Sequence, residues 1–183
     1  GQYEGYRSED GVSPNSDAET YAALRFEIDS WRWADVPFFI RTGKRMPVTA
    51  TEVIATFRRP PQRLFDETLP PRANYLRFRL GPDRIAIALG VRTKDAGEAM
   101  VGAETELYAC NSRTDEMTPY ERLLGDAMRG DATLFARQDS VEVAWDIVDR
   151  LLASGPQAER YASGGWGPDG AARMVERFGG WYD

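Results

Sequence analysis

An α+β domain is predicted, and three features of the sequence predict it. Roughly five or six strand-like stretches fill the first two thirds of the chain, and helical stretches follow without β–α alternation. Residues 75–91 carry a hairpin pattern with period two. Thr118-Pro119-Tyr120-Glu121 spells a helix start with proline at its first position. With 183 residues and 42% apolar content the chain can bury one sizeable core, so residues 1–183 are expected to form a single domain.

The elements follow in order. Residues 1–19 are rich in Gly, Ser, Asp, Asn and Pro, with Gly11, Pro14 and Asn15 as turn formers, and are expected to be a surface loop. From Thr20, Ala22, Leu24, Phe26 and Ile28 alternate with Arg25, Glu27 and Asp29, which predicts a strand with one wet face. A helix is the alternative, because Tyr21, Leu24 and Ile28 also fit its spacing. Trp31 and Trp33 break the parity, which predicts a bulge or turn near Ser30.

Val36 to Ile40 is an apolar and aromatic run that predicts a buried strand entered at Pro37, where a missing N–H costs least. It stops at Arg41-Thr42-Gly43-Lys44-Arg45. A strand that ends in glycine and lysine delivers an ammonium group and free backbone N–H groups to one place, which suits an anionic oxygen. The same pattern also describes a basic loop at a sheet edge. Trp31, Trp33, Phe38 and Phe39 are expected to be core or interface material rather than a stacking platform.

Glu52 to Arg58 is rich in β-branched residues and ends at Pro60-Pro61, which forbids further ladder bonding. Tyr75 to Leu80 places Leu76, Phe78 and Leu80 on one face. Gly81-Pro82-Asp83 turns the chain, and Arg84 to Val91 returns Ile85, Ile87, Leu89 and Val91 to the core. The opposite face carries Ala86, Ala88 and Gly90, small enough for another layer or subunit to approach. Ala103 to Cys110 predicts a further strand whose Glu104 and Glu106 share a solvated face. Cys110 is expected to be an inert, buried thiol, because no cation or helix start activates it.

In the first helix Tyr120, Leu123, Leu124, Ala127 and Met128 make the inward stripe and Gly130 stops it. Asp139 and Glu142 repeat the capping pattern for a second, with Val141, Ala144, Trp145, Val148, Leu151 and Leu152 inward and Gly155-Pro156 as its end. Asp169 to Phe178 predicts a short third helix closed by Gly179-Gly180.

Composition narrows the chemistry. There is no histidine and one cysteine, which removes the usual zinc cluster, the Ser-His and Cys-His dyads and any imidazole base. No catalytic residue is assigned, and no metal. No G-x-G-x-x-G turn is expected after a strand, and no G-x-x-x-x-G-K-[ST] loop. A net charge of −6 gives no global footprint for nucleic acid, and no apolar run is long enough to span a membrane. Arg41, Lys44, Arg45, Arg58, Arg59 and Arg63 against Glu52 nonetheless leave a local balance of +5, able to draw a small anion. A leaderless start, no N-x-S/T acceptor and an unpaired Cys110 point to a reducing cytoplasm.

Three stretches together carry a resemblance: SDAETYAALRFEIDSWRWADVPFFIRTGKRM, PYERLLGDAMRGDATLFARQDSVEVAWDIVDRLL, and the WGP at Trp166. In this order they resemble the C-terminal domain of the glucose-6-phosphate dehydrogenases. The resemblance implies a large, mainly antiparallel sheet with helices packed on one face, which also forms a homodimer contact. It implies that an N-terminal Rossmann domain of the same protein holds NADP and the histidine base. Together the two parts would oxidise glucose 6-phosphate to the phosphogluconolactone in the oxidative pentose phosphate pathway, the present chain being inactive alone. Lys44 matches the substrate-contacting lysine of the RTGK motif. The second cation, five residues on, is replaced by neutral Thr49, and Arg45 is the candidate substitute. Arg41 matches an arginine that contacts an extra structural NADP in some members, a site not extended to this chain. The competing expectation is a free-standing, non-catalytic module that binds an anion or holds subunits together.

Overall fold

The computed structural model describes residues 1–62, 72–82, 85–97, 99–111, 117–155 and 157–183. Arg63, Asp83, Arg84 and Pro156, given roles above, lie outside the described residues. Two compact units are present, Gly1–Ser112 with Ala158–Asp183, and Arg113–Gln157. Antiparallel sheets with a few helices make the class α+β, as predicted.

The first unit opens on a correction. Within the expected surface loop, strand β1 (Gln2–Tyr3) pairs in parallel with β8 (Arg160–Tyr161). Gln2 is only 1% exposed. Its amide donates to the carbonyls of Ser16 and Ala18 at 3.1 and 3.0 Å and accepts from Arg7 Nε at 3.0 Å. One amide that both donates and accepts closes a polar loop on itself, and hydrophobic periodicity carries no trace of it.

Strand β2 (Tyr21–Phe26) pairs antiparallel with β3 (Phe38–Gly43), from Tyr21 opposite Gly43 to Phe26 opposite Phe38, which decides the strand-or-helix question for a strand. Its most buried residue is Tyr21, on the face opposite the predicted one. Tyr21 joins Tyr3, Tyr161 and Ala171 in an aromatic cluster, with Ala23 against it. Ala22, Leu24 and Phe26 are half-buried and Ile28 is exposed. The predicted break near Ser30 is a 3-10 turn at Trp31–Trp33. Trp31 is 93% exposed and so is not core within this chain, while Trp33 packs edge-on against Phe38 at 5.3 Å. Strand β3 starts just after Pro37, as expected, but is half-buried rather than buried, with Ile40 exposed.

Strands β4 (Thr51–Thr56), β5 (Tyr75–Gly81), β6 (Ile85–Lys94) and β7 (Gly102–Asn111) form an antiparallel sheet in that order. The hairpin has the expected register parity, yet its faces are reversed. Ile87 is 52% exposed, whereas Ala88 on the small-residue face is 5% exposed. The small face is covered from its own strands. The Tyr75 ring lies over Gly90, and Arg79 on β5 reaches Glu52 on β4 at 3.0 Å. Small side chains leave room for a polar layer of long ones, so bulk alone did not tell which face would be covered. Cys110, toward the end of β7, is exposed rather than buried.

In the second unit α1 (Pro119–Arg129) starts with the predicted capping box. The Thr118 hydroxyl accepts from Glu121 N, and the Glu121 carboxylate accepts from Thr118 N at 2.8 Å. Gly130 closes it at φ 72°. The predicted inward stripe lies bare at Tyr120, Leu124 and Met128, the last 89% exposed. In α2 (Gln138–Ala153) the stripe is likewise exposed at Trp145, Leu151 and Leu152. Its predicted capping by Asp139 does not occur. The helix has already begun at Gln138, and the Asp139 carboxylate accepts from the Arg137 guanidinium at 2.9 and 2.7 Å. Returning to the first unit, α3 (Asp169–Val175) continues as a 3-10 turn, Glu176–Phe178, and Gly179 ends it at φ 97°.

Candidate functional site

Lys44 follows the last residue of β3, and its backbone is held from both sides. Its N–H donates to the Thr20 carbonyl at 2.8 Å, and its carbonyl accepts from the Tyr161 hydroxyl at 2.8 Å. One residue on, the Arg45 carbonyl accepts from Gly164 N at 2.7 Å. The side chain of Lys44 is exposed, and among the described residues its ammonium makes no hydrogen bond or ion pair. A fixed backbone and an unengaged ammonium together make a donor waiting for an anionic or hydroxylic oxygen.

Arg45 is differently placed. It adopts the left-handed conformation at φ 53°, so strand alternation no longer governs its direction. Its Nη2 meets Glu9 Oε1 at 2.8 Å, and its guanidinium lies 5.8 Å from the Tyr3 ring centre. That hydrogen bond, more than any other cause, holds the Glu9 carboxyl below its ordinary range. Thr49 is exposed and carries no charge. Arg58 and Arg59 are exposed beyond the end of β4.

Arg41 is well packed, with its side chain 12% exposed. Its guanidinium lies 4.5 Å from the Trp166 ring centre and 4.8 Å from that of Trp181. Its Nη2 donates to the Tyr182 carbonyl and to Asp183 Oδ1, each at 2.9 Å. A cavity of about 290 Å³ opens beside it, lined also by Arg72 and Asp169. Nothing local in the sequence marks this cluster. The signal was the pair of tryptophans at positions 166 and 181, which sit far from Arg41 in the chain.

One spacing requires correction. G-x-G-x-x-G does occur after a strand, at Gly165, Gly167 and Gly170, running from the loop after β8 into the first turn of α3. It does not cradle a dinucleotide. A Cβ on Gly167 would run into the Tyr21 ring, and one on Gly170 into the Glu159 carboxylate. Gly170 N already donates to Glu159 Oε2 at 3.0 Å, and Pro168 has no N–H to offer. The space these glycines leave is filled by the chain itself, so the residues present do not fit NADP at this turn. Glu104 and Glu106 are likewise engaged with one group, the Tyr75 hydroxyl.

The chain is similar to known proteins over nearly its whole length. Residues 1–182 match the family model described as glucose-6-phosphate dehydrogenase, C-terminal domain. A glucose-6-phosphate 1-dehydrogenase of Aggregatibacter actinomycetemcomitans is 44% identical over 180 residues, covering 96% of this chain and 36% of that protein. The corresponding enzyme 1 of Mycobacterium tuberculosis (strain CDC 1551 / Oshkosh) is 39% identical, covering 99% and 39%. The crystal structure of glucose-6-phosphate 1-dehydrogenase from Mycobacterium avium superimposes with a TM-score of 0.87 at 36% identity, covering all of this chain and 39% of that one. A glucose-6-phosphate dehydrogenase in complex with its substrate, glucose 6-phosphate, superimposes at 0.78 and 31% identity, covering 97% and 38%. The chain thus spans less than two fifths of the length of these relatives.

Proposed function

Since the chain belongs to the glucose-6-phosphate dehydrogenase C-terminal domain family, we propose that it supplies the sugar-phosphate side of an enzyme that oxidises glucose 6-phosphate. The observation that carries this reading is Lys44, whose backbone is hydrogen-bonded at both N and O while its ammonium makes no hydrogen bond or ion pair among the described residues. In the proposed complex the ammonium donates to oxygens of the substrate and holds the sugar in one orientation. Arg45 is the secondary candidate, and its pairing with Glu9 reserves it for substrate only if Glu9 gives it up.

The remaining chemistry belongs to another part of the enzyme. This chain has no histidine to take a proton, and its one G-x-G-x-x-G spacing is packed by Tyr21 and Glu159. NADP, which receives the hydride, and the base are therefore assigned to a Rossmann domain of the same protein. The branched face of the β4–β7 sheet, exposed at Val53, Ile85, Ile87 and Leu107, is assigned to a homodimer contact, and the protein to the cytoplasm.

The experiment is Lys44→Ala in the complete enzyme. A KM for glucose 6-phosphate that rises more than kcat falls supports the reading, and unchanged constants remove Lys44 from the site. The 183-residue chain alone is expected to form no NADPH.

A further inference from the structure

We infer that Tyr161 is a positioning residue for the substrate lysine: its hydroxyl, donated to the Lys44 carbonyl, fixes the point from which the Lys44 side chain leaves the backbone. The inference rests on the reading of Lys44 given above and adds to it the group that sets the lysine's place.

Packing and strand pairing immobilise the phenol. Tyr161 is 3% exposed, and its ring packs at 5.4 Å from Tyr21 and 6.2 Å from Tyr3, centre to centre. Its backbone is fixed by pairing of β8 with β1, opposite Tyr3. A ring packed by two neighbouring rings and fixed at its root delivers its hydroxyl to one position.

The proton assignment then follows from the partners. Tyr3 N donates to Thr20 Oγ1 at 3.0 Å. Thr20 Oγ1 and the Tyr161 oxygen are 3.2 Å apart, and the Lys44 carbonyl lies 2.8 Å from the same phenol oxygen. Tyr161 has one proton to give, and the shorter contact takes it, so the Thr20 hydroxyl donates to Tyr161 and Tyr161 donates to Lys44. The Thr20 carbonyl, 3.3 Å from the phenol, is the poorer acceptor and is already taken by Lys44 N–H. The result is a single directed chain that ends on the lysine.

The place where it ends matters. Sheet pairing stops at Gly43, and Arg45 turns left-handed. Lys44 is therefore the residue at which the strand's own bonds can no longer fix direction, and Tyr161 replaces them. Without that bond the backbone here keeps, among the described residues, the bonds at Lys44 N and at the Arg45 carbonyl, and Lys44 gains freedom that substrate binding must remove.

The test is a double-mutant cycle in the complete enzyme with Tyr161→Phe, Lys44→Ala and the two combined. Tyr161→Phe is expected to raise KM for glucose 6-phosphate about three- to tenfold, with kcat within about twofold of the parent. In the Lys44→Ala background the same change is expected to leave KM where Lys44→Ala alone puts it, because the phenol acts through the lysine. An unmoved KM for Tyr161→Phe, or full additivity in the double variant, overturns the inference and leaves the Lys44 reading standing. An unmoved KM for Lys44→Ala overturns both. If Tyr161→Phe does not fold, 4-fluorophenylalanine at position 161, which fills the place of the hydroxyl without a proton to donate, decides: a KM rise that vanishes in the Lys44→Ala background supports the inference, and an unmoved KM or full additivity overturns it.

Discussion

The ring of Tyr75 lies against the backbone of Gly90, its cross-strand partner, closely enough that a Cβ on Gly90 would overlap it. Gly90 is in turn opposite Glu106 on β7, and the Tyr75 hydroxyl donates to that carboxylate. One side chain thus spans three strands, from its root on β5 across a bare backbone on β6 to an acceptor on β7. The gap left by the missing Cβ is what lets it pass.

Gly90→Ala is therefore expected to destabilise the protein by about 1–3 kcal/mol, the usual range for an overpacked site. The ring is buried and tied at its far end, so it cannot swing aside without losing Glu106. Chemical denaturation of the two proteins checks this. Made in a Tyr75→Ala background, the same change should cost less, since the added Cβ then has no ring to meet.

Burial, and after it the bond to Glu106, push the Tyr75 phenol above its ordinary pKa of 10.0. Tyr21 is raised too, again mainly by burial. The sign follows from proton counting. Above about pH 10 the unfolded chain loses phenolic protons that the folded one keeps, so stability is full below that pH and falls as pH rises further. Denaturation midpoints measured between about pH 8 and 11 should decline at the alkaline end, and Tyr75→Phe should make that decline shallower.

For Lys44 the expected loss is that of a charge-assisted hydrogen bond, about 1.5 to 3 kcal/mol, or roughly 10- to 100-fold in KM. Lys44→Arg keeps the charge but changes its shape and reach, so it should recover affinity only in part. Steady-state kinetics of the complete enzyme with the alanine and arginine variants separates loss of charge from loss of fit. An arginine variant equal to the parent would mean that charge alone is used.

The sequence exposed what is periodic or local. The strands at β2 to β7, the hairpin register and the Thr118 capping box all rest on neighbours within a few residues. The end of the aromatic run at Gly43-Lys44 was legible for the same reason. What escaped it depends on pairs far apart in the chain. Gln2 closing its loop, Tyr161 meeting Lys44, and Arg41 between Trp166 and Trp181 leave no pattern in any window. Burial of the sheet and helix faces was misjudged because period two and period 3.6 say which residues share a face, not which face is covered. Ile87, Leu124 and Met128 each belong to the face the pattern assigned them and are nonetheless exposed.

Arg41 ties β3 to the chain's last residues, and its contacts predict how that tie fails. Its side chain is 12% exposed, stacked between two tryptophans, and bonded to the Tyr182 carbonyl and to Asp183. Stacking in a desolvated setting is worth about 2 kcal/mol, and a charge-assisted bond to a half-buried carbonyl is of similar size. Arg41→Ala should accordingly lower stability by about 2 to 4 kcal/mol. Asp183 is about half exposed, so Asp183→Asn should cost less than about 1 kcal/mol, as exposed pairs do. Arg41→Lys retains the charge without the planar fork that fits between two rings, and should recover less than half of the alanine loss. Thermal melting ranks the three variants, and tryptophan emission reports the cause. Arg41→Ala should move the emission to longer wavelength as Trp166 and Trp181 gain water, whereas Asp183→Asn should leave it in place. Equal losses for Arg41→Ala and Asp183→Asn would assign the tie to the ion pair and not to the stacked rings.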